Sequence, residues 1–125
     1  MCSKEPFWAK KNEDRWSQLK FNIDFLKKTK LEYEKLHCEY CGKEDLIVYD
    51  WCEKFNSENA ATVDHFYPKS KYNELKMDEN NFIISCYNCN SQKKDKLWPK
   101  ESIKFPLNLN KLNNLVDGIN INTPC

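Results

Sequence analysis

Two Cys-x-x-Cys pairs constrain the fold of this chain more than any other feature of its sequence. The first pair is Cys38 and Cys41, the second is Cys86 and Cys89, and residues 42–85 lie between them. Four thiolates from two such turns satisfy tetrahedral Zn²⁺ and leave no coordination position for water, so the predicted ion is structural. The alternative is four free core cysteines, which the doubled spacing disfavours. A zinc ion that closes so long a loop would couple metal binding to folding.

Length and the other cysteines narrow the class of protein. At 125 residues the chain has the size of one domain. Seven cysteines are an odd count, and no apolar signal segment is evident, so we expect reduced thiols and a cytoplasmic location. Cys2, Cys52 and Cys125 are then expected to be ordinary thiols. No stretch reaches the apolar length of a membrane helix, and no membrane association is expected.

Hydrophobic periodicity predicts the order of helices and strands. Residues 13–36 carry apolar side chains at three- and four-residue spacing, which indicates an amphipathic helix capped by Asn12, with a break near Thr29 or Lys30 as an alternative. Short strands are predicted at residues 46–51, 61–65 and 82–85, and a short helix at residues 91–97 before Pro99. The chain beyond Pro99 could give a final helix or strand, and residues 117–125 could be loose.

Four polar residues form a second group with chemical meaning: Asp64, His65, Asn81 and Asn90. Hydrolysis of an anionic phosphodiester needs a base to deprotonate water and a cation to neutralise the developing charge. Histidine suits the first task near neutral pH, and a carboxylate with an amide carbonyl suits a hard ion such as Mg²⁺. Taken singly, His65 could be a core hydrogen-bonding group and Asn90 a helix cap.

Lysines flank this group, although the net charge of +1 gives no overall attraction to polyanions. The candidates for contact with a nucleic-acid backbone are Lys69, Lys93, Lys94 and Lys96. A lysine run is by itself more often a solvated helix face. Its position beside Asn90 favours phosphate contact here.

Together these residues resemble the HNH endonuclease family, the ββα-metal nucleases. The resemblance covers roughly residues 38–97 and rests on the two Cys-x-x-Cys pairs, D-H at 64–65, N-F-I-I-S-C at 81–86 and C-N-x-x-K at 89–93. It implies a small ββα-metal core stapled by a four-cysteine zinc site. With the N-terminal helical region, which lies outside the resemblance, the expected fold class is α+β. The expected regions are residues 1–37, helical and packed on the core, 38–100, the nuclease core, and 101–125, a C-terminal extension.

The resemblance also implies a role for each residue of the site. His65 would be the general base, and Asp64 and Asn90 would bind one catalytic Mg²⁺ or Mn²⁺. Asn81 would orient the loop that carries His65, and Lys93 would contact phosphate. The third family position is Asn90 rather than a histidine, which favours magnesium or manganese over a second zinc.

The expected function is therefore metal-dependent cleavage of DNA, with double-stranded DNA as the expected substrate. The alternative is an inactive zinc-stabilised module that binds nucleic acid or acts as an adaptor. The run H-F-x-P-K-S-x-Y at 65–72 is also similar to HNH proteins of bacterial anti-phage systems, in which an ATPase partner controls the nuclease.

A stripe of apolar residues on the first predicted helix suggests how such control could be exerted. Its members are Trp16, Leu19, Ile23 and Leu26. The stripe fits either the protein's own core or a docking face. Because an unrestrained nuclease would endanger its host, we predict that this helix mediates self-association or docking to a regulatory partner such as an ATPase.

Overall fold

The structure is a computed structural model that describes residues 5–53, 57–110 and 113. Its helices and strands, in chain order, are α1 (Glu13–Tyr33), β1 (Ala61–His65), β2 (Phe82–Cys86) and α2 (Tyr87–Lys93). The strands pair antiparallel, with Ala61 opposite Cys86 and His65 opposite Phe82. Helix α2 follows β2 directly and packs on the sheet, and α1 packs against β1. The predicted α+β class, with a ββα core and an added N-terminal helix, is confirmed.

Helix α1 begins where the sequence predicted and runs without a break. The Asn12 side chain accepts a hydrogen bond from the Arg15 backbone N–H at 3.1 Å, which satisfies one donor of the first turn. The Thr29 hydroxyl donates to the Phe25 carbonyl at 2.7 Å, so the helix accommodates this residue. The predicted alternative of two helices is therefore wrong. The helix ends at Tyr33, because Glu34 adopts a positive φ of 67°.

The apolar stripe of α1 faces the protein's own core. Trp16, Ile23 and Leu26 are buried and Leu19 is half-buried. Leu26 belongs to the main hydrophobic cluster, which also contains Phe82. Because the stripe is covered by the fold itself, it does not offer the exposed docking face that motivated the partner prediction.

The predicted strand at residues 46–51 is wrong. Within the described residues this segment makes one isolated parallel bridge, between Ile47 and Ala60. A turn then begins at Asp50, whose backbone N–H donates to the Glu53 carboxylate at 2.7 Å. Chain that turns away after one bridge cannot extend the sheet, although its side chains favour a strand.

Helix α2 lies earlier in the chain than predicted. It was expected at residues 91–97, but it spans Tyr87–Lys93, with Cys86 as its N-cap residue. The second cysteine pair thus forms the first helical turn, whereas its Cys-x-x-Cys pattern predicts a metal-binding turn that precedes the helix. Lys94 ends the helix with a positive φ of 50°.

The chain beyond Pro99 packs on the first cysteine pair through a buried glutamate. The Glu39 carboxylate accepts hydrogen bonds from the backbone N–H groups of Ile84 at 2.7 Å and Leu107 at 3.0 Å. One side chain thereby ties the first cysteine turn to β2 and to the C-terminal extension.

The prediction for residues 117–125 falls outside the described residues. None of the described helices combines the length and apolar character needed to cross a membrane.

Candidate active site

The four paired cysteines form a cluster whose size fits a zinc ion. Their Sγ atoms lie within 4.8 Å of one another, and the Sγ atoms of Cys41 and Cys86 are 3.7 Å apart. Tetrahedral Zn²⁺ with Zn–S bonds of about 2.3 Å holds its sulfurs about 3.8 Å apart. The backbone N–H groups of Cys41 and Cys89 point to the Sγ atoms of Cys38 and Cys86, each at 3.5 Å. Four thiolates fill the shell, so the cluster suits a structural ion.

Gly42 shapes the turn that follows the first pair. Its φ is +82°, and a Cβ atom at this position would lie 2.9 Å from the Phe105 ring. A side chain would therefore be strained and would also collide with the C-terminal extension.

Elsewhere, Cys52 is disulfide-bonded, which corrects the expectation that it is a reduced thiol.

His65 lies at the end of β1 with one ring nitrogen fixed. Its Nε2 is 2.9 Å from the Lys76 backbone carbonyl, which can only accept, so Nε2 carries a proton. The lone pair of the neutral ring is then on Nδ1. The ring is 8% exposed and packs edge-to-face on Phe82. Burial lowers the pKa of His65, and the positive charges of Lys69 and Lys93 lower it further. The hydrogen bond to the Lys76 carbonyl acts in the opposite direction and raises the pKa. The neutral form, which can accept a proton, is therefore favoured.

Asn81 pins the loop that leaves His65. Its amide oxygen accepts from the Tyr67 backbone N–H at 2.9 Å, and its amide nitrogen donates to the Tyr67 carbonyl at 3.0 Å. The Phe66 backbone N–H donates to the Asn81 carbonyl at 3.0 Å. Asn81 is buried, so these bonds are shielded from water. The chain immediately after His65 is held at two consecutive residues.

Asp64 is held in a buried ion pair. Its Oδ2 lies 3.1 Å from Lys93 Nζ and also accepts from the Tyr40 hydroxyl, whereas Oδ1 has only a 3.4 Å contact with Lys93. Burial raises the pKa of Asp64 and lowers that of Lys93, and their mutual attraction opposes both shifts. Burial and the nearby Asp64 carboxylate raise the pKa of Tyr40, so its hydroxyl stays a donor. The carboxylate is oriented from two sides.

Lys93 lies inside the protein, although the sequence predicts that it contacts a nucleic-acid phosphate. It has no exposed surface, and its ammonium group also donates to the His65 carbonyl at 2.9 Å. A side chain enclosed in this way cannot reach a phosphate on a bound nucleic acid. The predicted phosphate contact of Lys93 is replaced by an internal one, with the Asp64 carboxylate.

Asn90 presents its amide oxygen through a short relay of hydrogen bonds. The Thr62 hydroxyl donates to the Ser85 carbonyl at 2.7 Å, so its oxygen is an acceptor for Asn90 Nδ2 at 2.9 Å. Asn90 Nδ2 also approaches the Val63 carbonyl at 3.4 Å. Because Asn90 Nδ2 donates its hydrogen bonds to β1, Asn90 Oδ1 can bind a cation or accept a hydrogen bond from a substrate.

Three of the four predicted polar residues line one open cleft of about 290 Å³. Its lining includes Asp64, His65 and Asn90, the cations Lys69 and Lys94, and Asn22 from α1. Asn81 lies behind the cleft and supports it. Lys96 is exposed but does not line the cleft.

This combination of a four-cysteine cluster, a ββα unit and a cleft lined by β1, α2 and the loop after β1 agrees with a comparison against known families. The model of the HNH endonuclease family matches residues 38–96. This segment of the chain is therefore similar to the HNH endonuclease family. The matched HNH segment contains every predicted site residue and begins after α1. No curated protein and no solved structure matches the chain.

The oxygen donors of the HNH cleft fit a hard divalent ion. The carboxylate oxygen Asp64 Oδ1 keeps lone pairs free of short contacts, and the oriented amide oxygen Asn90 Oδ1 is a second, uncharged ligand. Mg²⁺ and Mn²⁺ prefer such oxygen ligands and complete their shells with water and phosphate. The nearby ammonium of Lys93 reduces the negative charge of this pair of ligands. We therefore expect the ion to bind more tightly when a substrate phosphate adds its own charge.

Three residues that orient this site, Tyr40, Thr62 and Gln18, are not among those predicted from the sequence. Tyr40 lies between the two cysteines of the first pair, at a position that the metal-binding spacing leaves unspecified. Thr62 precedes Asp64 by two positions on β1, so a strand period of two gave a usable signal. Gln18 of α1 approaches His65, Nε2 to Nε2, at 3.4 Å. No local pattern links two residues so far apart in sequence.

The ion pair allows a stability prediction for Lys93→Met. The change leaves the Asp64 carboxylate buried without its cation, and removal of one partner from a buried pair costs about 3–5 kcal/mol. We expect a loss of that size in the free energy of unfolding of the zinc-loaded protein, measured by chemical denaturation. Lys94→Met is the matched control, because Lys94 is exposed and such changes usually cost less than about 0.5 kcal/mol.

The double variant Lys93→Met with Asp64→Asn tests the cause. Because it removes both charges, it is expected to recover much of the stability lost in Lys93→Met alone. Equal stabilities for Lys93→Met and Lys94→Met would show that the buried ion pair is not the important contact of Lys93.

Proposed function

We propose that this chain is a metal-dependent endonuclease that hydrolyses phosphodiester bonds of DNA. The observation that carries the proposal is the shared cleft of Asp64, His65 and Asn90 inside the matched HNH segment. In it, a base with a free lone pair faces the same space as two oxygen donors suited to Mg²⁺ or Mn²⁺. A binding module would not require this arrangement.

In the proposed reaction, His65 Nδ1 accepts a proton from the attacking water while Nε2–H stays bonded to the Lys76 carbonyl. Asp64 and Asn90 would hold the divalent ion, with the Asp64 carboxylate fixed by Tyr40 and Lys93. When bound, that ion supplies charge neutralisation at the phosphate and at the leaving oxygen. Asn81 keeps the loop after His65 in place, so that the base does not move away from the water.

The direct test is incubation of purified protein with supercoiled plasmid, with and without added Mg²⁺ or Mn²⁺. Nicked or linear plasmid that appears only with the added ion supports the proposal. Zinc-loaded, folded protein that binds DNA and leaves it intact under every ion would support the binding-module alternative instead. Parallel incubation with double-stranded DNA, single-stranded DNA and RNA decides the substrate.

Lys69 and Lys94 are the proposed contacts to the DNA backbone, because both are exposed and line the cleft. Replacing both with alanine is expected to weaken binding equally for all sequences. It should also flatten the dependence of log K on log salt by about one unit for each lost phosphate contact. The measurement uses His65→Ala protein, which should bind without cutting, and DNA titrations at several salt concentrations.

Lys35→Ala is the control for this prediction, since Lys35 is exposed and does not line the cleft. A salt slope that is the same in the control and in the double variant would assign Lys69 and Lys94 to a solvated surface. Lys96 stays a weaker candidate for backbone contact.

A role in bacterial defence and control by an ATPase partner stay predictions from the run at residues 65–72. The buried stripe of α1 gives no support to docking through that helix. Co-purification from cells that express the chain together with candidate ATPases would test the partner separately from the chemistry.

A further inference from the structure

Helix α1 lies outside the segment that matches the HNH family, yet it reaches the catalytic histidine. Gln18 and Asn22 are four residues apart and therefore share one face of the helix. Gln18 is 6% exposed, and its Nε2 lies 2.7 Å from Asn22 Oδ1 and 3.4 Å from His65 Nε2. Asn22 in turn lines the cleft with Asp64 and Asn90. The face of α1 that meets the site is polar at this point, unlike its buried stripe.

The hydrogen-bond partners of His65 decide which end of the Gln18 amide faces it. The Lys76 carbonyl requires a proton on His65 Nε2. Gln18 Nε2 would then be a second donor facing that N–H, while Gln18 Oε1 is buried with no hydrogen-bond partner among the described residues. A rotation of the Gln18 amide by 180° exchanges its oxygen and nitrogen atoms without changing the shape of the side chain. The oxygen then faces the N–H group of His65. The same half turn at Asn22 lets its amide nitrogen donate to Gln18 across the 2.7 Å contact.

The two acceptors then act together on one nitrogen. The Lys76 carbonyl belongs to the loop between the strands, whereas Gln18 belongs to a rigid helix of 21 residues. An acceptor on the helix ties the ring of His65 to a second element and disfavours the form with the proton on Nδ1. In that other form the lone pair would face Gln18 and Lys76, and the ring could not deprotonate a water in the cleft.

We propose that Gln18, supported by Asn22, is a positioning residue that holds His65 with its proton on Nε2, so that α1 completes the catalytic site of the HNH segment. The proposal rests on the proposed function for its catalytic consequence. The geometric part, the protonated nitrogen of His65, is independent of whether DNA is the substrate.

The test compares Gln18→Leu, which removes the acceptor, with Gln18→Glu, which keeps an oxygen at the same position. Loss of such a supporting hydrogen bond is expected to lower kcat about tenfold to a hundredfold. KM should be little changed, because Gln18 does not line the cleft. Gln18→Glu should restore most of kcat. The matched control is Gln92→Leu, the same chemical change at an exposed glutamine.

A second readout observes the histidine directly. The chain has two histidines, so ¹⁵N spectra of histidine-labelled protein resolve both rings. His37, whose Nε2 lies 2.7 Å from the Phe105 carbonyl, is an internal reference. We expect His65 to carry its proton on Nε2 in the wild type and in Gln18→Glu, and to populate both forms in Gln18→Leu. The melting temperature of Gln18→Leu should not fall greatly, since the change also removes the buried amide atom that has no partner among the described residues, which is the nitrogen in the proposed orientation.

The outcomes separate this inference from the proposed function. If Gln18→Leu keeps the wild-type kcat and the His65 spectrum is unchanged, Lys76 alone positions the ring and the inference is overturned. If the wild type cuts no nucleic acid, the proposed function fails, and the ¹⁵N spectra still decide the role of Gln18. Should Gln18→Leu not fold, Gln18→Met, with an unbranched chain of similar length, carries the same comparison.

Discussion

His65→Ala should keep its zinc and its fold and lose most of its cleavage activity. Removal of a positioned general base typically lowers the rate about a hundredfold to ten-thousandfold. The zinc cluster is built entirely from cysteines, so the change does not touch its ligands. Single-turnover cleavage of plasmid in Mg²⁺, together with zinc content and circular dichroism of the same preparation, measures both parts of the prediction.

His37→Ala is the matched control, because His37 is the only other histidine and lies outside the cleft. Its cleavage rate should stay close to that of the wild type. The pH dependence gives a further check: activity should fall as pH decreases through the pKa of His65, which burial places below its usual 6.5. Nicking by His65→Ala at the wild-type rate, in a preparation free of contaminating nuclease, would remove the base assignment.

The parts of this site that could be predicted from sequence are those with local spacing. The cysteine pairs Cys38–Cys41 and Cys86–Cys89 can be recognised as zinc ligands from their spacing, because a metal-binding turn needs its two ligands within one short segment. Asp64 and His65 are likewise adjacent, and the end of a strand explains how neighbours can face the same cleft. Their common cleft with Asn90 follows from the antiparallel sheet and the helix after it.

The parts that could not be predicted depend on contacts between distant segments. Lys93 has the sequence context of an exposed helical lysine, and only the packing of α2 on β1 brings it to Asp64. Gln18 is distant from His65 in sequence and precedes the matched segment. The strand expected at residues 46–51 failed for a related reason, since a strand needs a partner along its length as well as suitable side chains.

Replacing Cys86 should disrupt the fold of the whole chain rather than the chemistry alone. In Cys86→Ser the zinc loses one of its four ligands, whereas the serine hydroxyl can accept the N-cap hydrogen bond of α2 in place of the Cys86 Sγ atom, so the change isolates the loss of the metal ligand. Structural zinc binding supplies about 10–16 kcal/mol of apparent free energy in small domains, whereas the net stability of a domain is about 5–15 kcal/mol. Because the first quantity matches or exceeds the second, a protein without its zinc should lose cooperative unfolding. Elemental analysis and thermal denaturation measure the two losses together.

Cys86→His distinguishes the loss of a zinc ligand from the loss of the cysteine side chain itself, since three cysteines and one histidine also bind zinc tetrahedrally. This variant should retain part of the bound zinc and part of the cooperative transition that Cys86→Ser loses. Treatment of the wild type with a chelator should likewise abolish the cooperative transition, and added Zn²⁺ should restore the fold, because a metal ion bound by two turns that are distant in sequence contributes its binding free energy to folding. A folded, reduced wild-type sample that contains no zinc would contradict this account, and the packing of Glu39 and Phe105 on the first cysteine turn would then have to stabilise the loop without metal.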